Sequence, residues 1–187
     1  MDGHGRITTN EKRMQALTFW KTITMDHSNL LENLIELLKK HEIRFCVIGG
    51  QAVNAYAEPL VSLDLALAVA VDQIDKVEAL FEKHFVVKRF PHSLNVTIPD
   101  SDVRVQIQTD KRYASFLERA SPRVILGMEL PVASVEDVLQ GKIWAALDSE
   151  RRGSKRQKDL ADIARILENY PQYRSHVPQE ILKRLLD

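Results

Sequence analysis

Between Val47 and Val69 the chain reads VIGGQAVNAYAEPLVSLDLALAV. An apolar run from Arg44 to Ile48 reads as a short buried strand and enters the pair Gly49-Gly50. A brief helix over 51–57 is stopped by Glu58-Pro59, since the residue before a proline is pushed out of the helical region. Ser62 to Ala70 then reads as a strand whose near-continuous apolar content places it in the middle of a sheet. A strand, a glycine turn, a helix and a central strand in succession commit the chain to a sheet with helices packed on it, an α/β or α+β fold.

The surrounding sequence fits that frame. Leu30, Leu31, Leu34, Ile35, Leu37 and Leu38 recur at helical spacing over 28–40, with Asp26 or Ser28 available as caps. A second amphipathic helix is predicted over 72–84, with Ile74, Val77, Leu80 and Phe81 on one face. Strands are expected at 86–90, 94–98 and 103–108, the last two joined by the hairpin-like turn Pro99-Asp100-Ser101-Asp102. Beyond Asp110 the pattern becomes mostly helical, at 112–119, 134–148, 155–169 and 178–186, with Ser134-x-x-Asp137 resembling a capping box. The expected organisation is a tail or arm over 1–27 and one domain over 28–187, with a sheet core at 28–110 and a mainly helical extension at 111–187. Within the arm, Leu17, Phe19, Trp20 and Ile23 carry enough apolar surface to dock on the body or on a second subunit.

Composition removes several classes of function. The 187 residues hold 26 Lys+Arg against 26 Asp+Glu, so coating nucleic acid by bulk charge is disfavoured, although a local basic patch is not. Cys46 is the single cysteine, which excludes an intrachain disulfide and a cysteine-based zinc site, and its strand position suggests an inert core residue. The six histidines show no metal-ligand spacing and are assigned to surface and loops. The longest apolar run, Leu65 to Val71, is too short to span a bilayer, and the first residues lack the apolar segment of a secretory signal. A soluble, cytoplasmic protein is expected.

The chemistry concentrates at the glycine turn and the strand after it. Backbone N–H groups at a strand-to-helix turn suit a phosphate, and glycine permits its close approach, although a bare Gly-Gly also serves such turns for conformation alone. On the following strand Asp64 shares a face with Ser62, Ala66 and Ala68, while Leu63, Leu65 and Leu67 point the other way. A carboxylate in a buried strand either binds a cation or accepts hydrogen bonds near the strand's start.

Gly49-Gly50, a thirteen-residue spacer and Asp64 on the next strand resemble the signature of the nucleotidyltransferase fold shared by DNA polymerase beta-like enzymes. Gln140 to Ile163, QGKIWAALDSERRGSKRQKDLADI, is similar to the AbiEii-like bacterial branch, in which a helix bearing a lysine precedes a basic segment and a Lys-Asp-x-x-Asp helix. The resemblance implies a nucleotidyltransferase fold, a mixed sheet flanked by helices with a helical C-terminal extension. It implies that Gly49, Gly50 and Ser62 cradle a nucleoside triphosphate, that Lys142 and Lys158 supply cations to it, and that Asp159 lies beside the sugar or acceptor. Carboxylates from two strands would hold magnesium and activate an acceptor hydroxyl, on RNA or protein, for in-line attack.

Two positions depart from that pattern. The second carboxylate of Asp-x-Asp is replaced by Ala66, and Gln106 occupies the best candidate position for the third. Asp64 is then the single remaining metal ligand, and one carboxylate cannot bridge two cations firmly. A weakly held magnesium-nucleotide remains compatible, since the triphosphate brings its own oxygens. Either the chain is a pseudoenzyme or Ala66 replaces a natural Asp; the sequence leaves both open.

Helical periodicity adds Lys142, inside the stripe Val135, Val138, Leu139, Ile143 and Ala146, and Asp159, inside the stripe of the next helix. Charges so placed need a partner or a ligand: they pair with each other and pin the helices, or Lys142 snorkels, or they serve the nucleotide. Arg151, Arg152, Lys155, Arg156 and Lys158 form a basic run that reads as a solvated helix lead-in or as a phosphate holder. Lys158 and Asp162 read as a surface pair at i,i+4, and Trp144 as a contact-surface residue hinting at a homo-oligomer. Two functions follow: a nucleotide-binding transferase relative, or a non-catalytic interaction module of a bacterial toxin–antitoxin-like pair with an antitoxin-type partner.

Overall fold

A computed structural model of the protein describes residue 15 and residues 17–22, 29–99 and 101–185. The first residues, Asp26, Ser28 and the tip residue Asp100 lie outside the described residues. Among the described residues, seven strands form one mixed sheet in the order β3-β4-β5-β2-β1-β7-β6. They are β1 (Phe45–Ile48), β2 (Asp64–Val69), β3 (Val86–Phe90), β4 (Ser93–Thr97), β5 (Arg104–Gln108), β6 (Ser121–Ile125) and β7 (Met128–Val132). Beyond the N-terminal arm the helices are α1 (Leu30–Lys40), α2 (Gly49–Val53), α3 (Ile74–Phe81), α4 (Val135–Leu147), α5 (Gly153–Asn169) and α6 (Gln179–Leu185).

As its apolar content requires, β2 lies in the middle of the sheet. It runs antiparallel to β1 and parallel to β5, with Asp64 opposite Arg104 and Ala66 opposite Gln106. Leu65 and Leu67 are fully buried on one side. With Leu30, Leu31, Leu34, Leu38, Val77 and Phe81 they belong to a single buried cluster, so the two amphipathic helices spend their apolar faces on this core. The other side of β2 carries Asp64 and Ala66, both partly exposed. Strand alternation thus assigns one face to packing and the other to an open cleft.

The expectation of a mostly helical chain beyond Asp110 omits a hairpin. Strands β6 and β7 pair antiparallel around Leu126-Gly127, both with positive φ (48° and 81°), the backbone of a tight hairpin turn. The pair extends the sheet past β1, where Val47 pairs parallel with Val132. Pro122 and Pro131 conceal these strands in the sequence, because proline cannot donate to a ladder. They are tolerated here because β6 is an edge strand and because the β1–β7 pairing is at Val132, next to Pro131. The helix expected at 112–119 is a 3₁₀ segment, Lys111–Phe116, capped by Asp110, which accepts from the Arg112 N–H at 2.9 Å. Ser134 caps the helix as its sequence implies, its Oγ accepting from the Asp137 N–H at 3.2 Å, while the Asp137 carboxylate pairs with Arg119 at 2.6 Å.

Of the N-terminal arm, residues 17–22 are helical and dock on the body. Trp20 is buried and its indole N–H donates to the Ser62 carbonyl at 2.9 Å. Among the described residues, no helix is long and apolar enough to cross a membrane.

Candidate functional site

A cavity of about 650 Å³ opens on the cleft face of β2 and β5. Its walls bring together Gly49, Gly50, Ser62, Asp64, Lys142, Lys158 and Asp159, the seven residues singled out in the sequence. They come from α2, the lead-in to β2, β2 itself, α4 and α5, separated by up to about a hundred residues of chain.

The glycine turn is built for close approach. Gly49 adopts φ +68°, a left-handed conformation costly to residues with a Cβ, and a Cβ there would meet Ala66 Cβ at 3.1 Å. At Gly50 the conformation is ordinary, but a Cβ would sit 3.2 Å from Ser62 Oγ and 3.8 Å from Lys158 Nζ. A hydroxyl and an ammonium from two other elements therefore converge on the bare glycine. The five-residue α2 is too short to contribute much dipole, so the anion affinity of this corner rests on Lys158, Ser62 and the open backbone. Ser62 is held in place through its carbonyl, which accepts from Gln51 Nε2 at 2.8 Å as well as from Trp20.

Lys142 and Asp159 meet, which is the pinning arrangement. Lys142 Nζ lies 2.9 Å from Asp159 Oδ1 and 2.6 Å from Asp162 Oδ2, with side-chain exposures of 8%, 2% and 3%. Arg151 closes on Asp159 at 2.6 Å, and Arg165 on Asp162 at 2.8 Å. Asp162 is therefore a buried member of this network rather than a surface partner of Lys158. Arg165 continues to Asn54 Oδ1 at 2.9 Å and to the Glu58 carbonyl, while Asn54 brackets Leu60 with two hydrogen bonds. The Lys-Asp-x-x-Asp helix thus anchors α4 with its two aspartates, steadies the connection from α2 to β2, and leaves Lys158 free to face Gly50.

The residues present do not form a two-cation site. Ala66 and Gln106 sit side by side where carboxylates would be needed, and Gln106 Nε2 donates to Ser93 Oγ at 3.2 Å. Asp64 is already engaged: Arg104 Nη2 lies 2.6 Å and Lys155 Nζ 3.6 Å from its Oδ2. Among the described residues there is no group of three or more His, Cys, Asp or Glu that could hold a metal ion. Neither Arg104 nor Lys155 was singled out for Asp64, because both contacts depend on how β5 and α5 are placed beside β2.

The far wall of the cavity is aromatic, and periodicity gave little sign of it. Trp144 does not face outward as a contact residue. It stacks on Phe116 at 5.8 Å, meets Tyr113 edge-on at 5.4 Å, and carries the Arg112 guanidinium 4.9 Å above its ring. Gly141 makes room for this cluster, since a Cβ there would touch Tyr113 at 3.4 Å. Burial pushes the Tyr113 hydroxyl above its ordinary pKa, so it stays protonated. Asp110, gripped by Arg112 side-chain and backbone N–H groups, is held below the usual carboxylate range. Cys46 behaves as a core residue, with burial pushing its thiol up to about 12.

Comparison with solved structures supports the architecture. The solution structure of the antibiotic-resistance factor ANT(2'')-Ia superposes with a TM-score of 0.55 at 13% identity, over 83% of this chain and 94% of that one. A crystal structure of ANT(2'')-Ia in complex with adenylyl-2''-tobramycin gives 0.52 at 15% identity, over 79% and 96%. An antigenic nucleotidyltransferase-like protein from Paracoccidioides brasiliensis gives 0.50 at 16% identity, over 96% and 88%. At these identities the likeness establishes the nucleotidyltransferase fold. No curated protein sequence matches. The family model described as nucleotidyl transferase AbiEii toxin, type IV TA system, matches residues 50–186, which takes in Gly50, Asp64 and the whole Lys-Asp-x-x-Asp network. The chain belongs to the AbiEii nucleotidyl transferase family.

Proposed function

We propose that this chain binds a nucleoside triphosphate in the cleft and that the transfer chemistry of its ancestry has lapsed. The observation that carries this reading is the convergence of Ser62 Oγ and Lys158 Nζ on the open face of Gly50, beside an Asp64 deprived of its partner carboxylates. In the bound state Gly49 and Gly50 let the phosphates approach the backbone, Ser62 donates a hydroxyl hydrogen bond, and Lys158 supplies charge. The base would lie against the partly exposed Tyr113, which the buried Phe116 and the Arg112-covered Trp144 support from behind. Lys142 and Asp159 act from beneath, by fixing Arg151 and the helix that presents Lys158. A magnesium ion here would arrive on the nucleotide's own phosphate oxygens, with Asp64 the sole carboxylate of the expected set. The ancestral reaction is transfer of a nucleotidyl group to an RNA or protein hydroxyl.

A thermal-shift titration with each of the four ribonucleoside triphosphates tests the reading. Ligand at a hundred times its dissociation constant stabilises the native state by about 2.7 kcal/mol. Lys158→Gln and Gly50→Ala should each reduce the shift.

A second reading is favoured by the absent carboxylates together with the family's toxin description: an interaction module of a bacterial toxin–antitoxin pair that kept the fold and lost the site. Its signature is no shift with any nucleotide and capture of an antitoxin-type protein partner.

A further inference from the structure

The cations that would neutralise a triphosphate in this cleft are already built into the chain. Asp64 lies on β2, and directly across the parallel pairing Arg104 projects from β5 to within 2.6 Å of its carboxylate. From the first turn of α5, Lys155 reaches the same oxygen at 3.6 Å. Lys158, one turn further along α5, faces Gly50. Two cations from two elements thus flank one carboxylate, with Lys158 nearby at Gly50, at the position where this fold would otherwise gather acidic residues around a metal. Both Arg104 and Lys155 keep more than a third of their side-chain surface exposed, so an incoming anion can reach them.

Resting on the nucleotide-binding reading, we infer that Arg104 and Lys155 take the place of the divalent cation, and that the site accepts its triphosphate metal-free. In the empty site Asp64 is their counter-ion and holds both in position. A phosphate oxygen competes with that carboxylate for the same N–H groups, and the guanidinium suits the exchange because its planar fork matches phosphate as well as carboxylate. Ala66 and Gln106 are consistent with this arrangement. Further carboxylates at those two positions would repel a metal-free triphosphate, whereas a methyl and an amide do not.

Calorimetric titration of the four ribonucleoside triphosphates, in EDTA and in magnesium, tests the inference. Binding should persist in EDTA. Arg104→Gln and Lys155→Gln should each weaken it about tenfold, the loss of one charge-assisted contact. Asp64→Asn should tighten it, because the competing carboxylate is gone. Unfolding midpoints of the three variants separate binding from folding. Binding seen only with magnesium, or abolished by Asp64→Asn in a folded protein, overturns the metal-free site and leaves nucleotide binding standing. No binding in either medium overturns the nucleotide reading itself.

Discussion

The ammonium of Lys142 lies 2.9 Å from Asp159 Oδ1, deep between α4 and α5, and the same ammonium is shared with Asp162. A lysine inside an apolar stripe is thereby neutralised twice over, and the two aspartates are neutralised again from their outer sides by Arg151 and Arg165. Removing the centre of such a network leaves two carboxylates facing each other in a dry setting. Each carboxylate keeps its arginine, so Lys142→Ala is expected to cost about 1–3 kcal/mol, the usual penalty for buried acceptors left without a donor. Urea denaturation reads it directly. An unchanged midpoint would mean that water reaches these groups.

The two glycines separate folding from binding. Gly49→Ala forces a Cβ into a left-handed conformation, at about 1–2 kcal/mol, and against Ala66. Gly50→Ala leaves the backbone unstrained and should change stability by less than about 1 kcal/mol. It fills the space between Ser62 and Lys158, so its effect is expected on nucleotide affinity. Paired denaturation and nucleotide titrations should show opposite patterns for the two variants.

Ala66→Asp restores one carboxylate beside Asp64, at a position that already lines the cavity. A second carboxylate supplies a hard oxygen ligand and draws Arg104 and Lys155 into competition with a divalent cation. Thermal shift with nucleotide should therefore become magnesium-dependent in this variant. If EDTA makes no difference to it, the register between β2 and β5 is not the metal register.

Cys46 sits in β1, fully buried, with its thiol raised to about 12. The thiolate, which is the reactive form, is therefore scarce at neutral pH. A thiol reagent at pH 8 should label the denatured chain and leave the native protein untouched. Rapid labelling of the native state would place Cys46 at an opening of the sheet.

Arg112 lowers the pKa of Asp110 in the folded state, chiefly by side-chain hydrogen bonding. A depressed folded pKa adds stability above the ordinary value of 3.8, and that stability is lost as pH falls through the lowered folded value. Arg112→Gln should therefore be less stable than the unaltered protein at neutral pH, and the gap should close in acid. The same substitution uncovers Trp144, so its fluorescence offers a second readout.

Local pattern was enough to reveal much of this molecule. Helical spacing exposes α1, α4 and α5, and the apolar density of β2 places it in the middle of the sheet. Alternation puts Asp64 and Ala66 on one face, because a strand's side chains have no other way to point. A glycine pair between strand and helix marks the turn because only glycine tolerates φ +68° cheaply there. The β6–β7 hairpin escaped, since Pro122 and Pro131 oppose a strand in any central position and only the edge of this sheet admits them. Trp144 looked outward until the 3₁₀ segment 111–116 folded over it.

The amino-acid sequence by itself determined the fold family, the glycine turn, the lone Asp64 and the missing carboxylates, because each is a matter of residue identity and short-range spacing. Tertiary structure alone decided who neutralises whom. Asp64 meets Arg104 forty residues away through a parallel pairing, and Lys142 meets two aspartates through the packing of α4 on α5. Ion pairs act over a few ångströms, and no pattern along the chain encodes which distant charges the fold will bring that close.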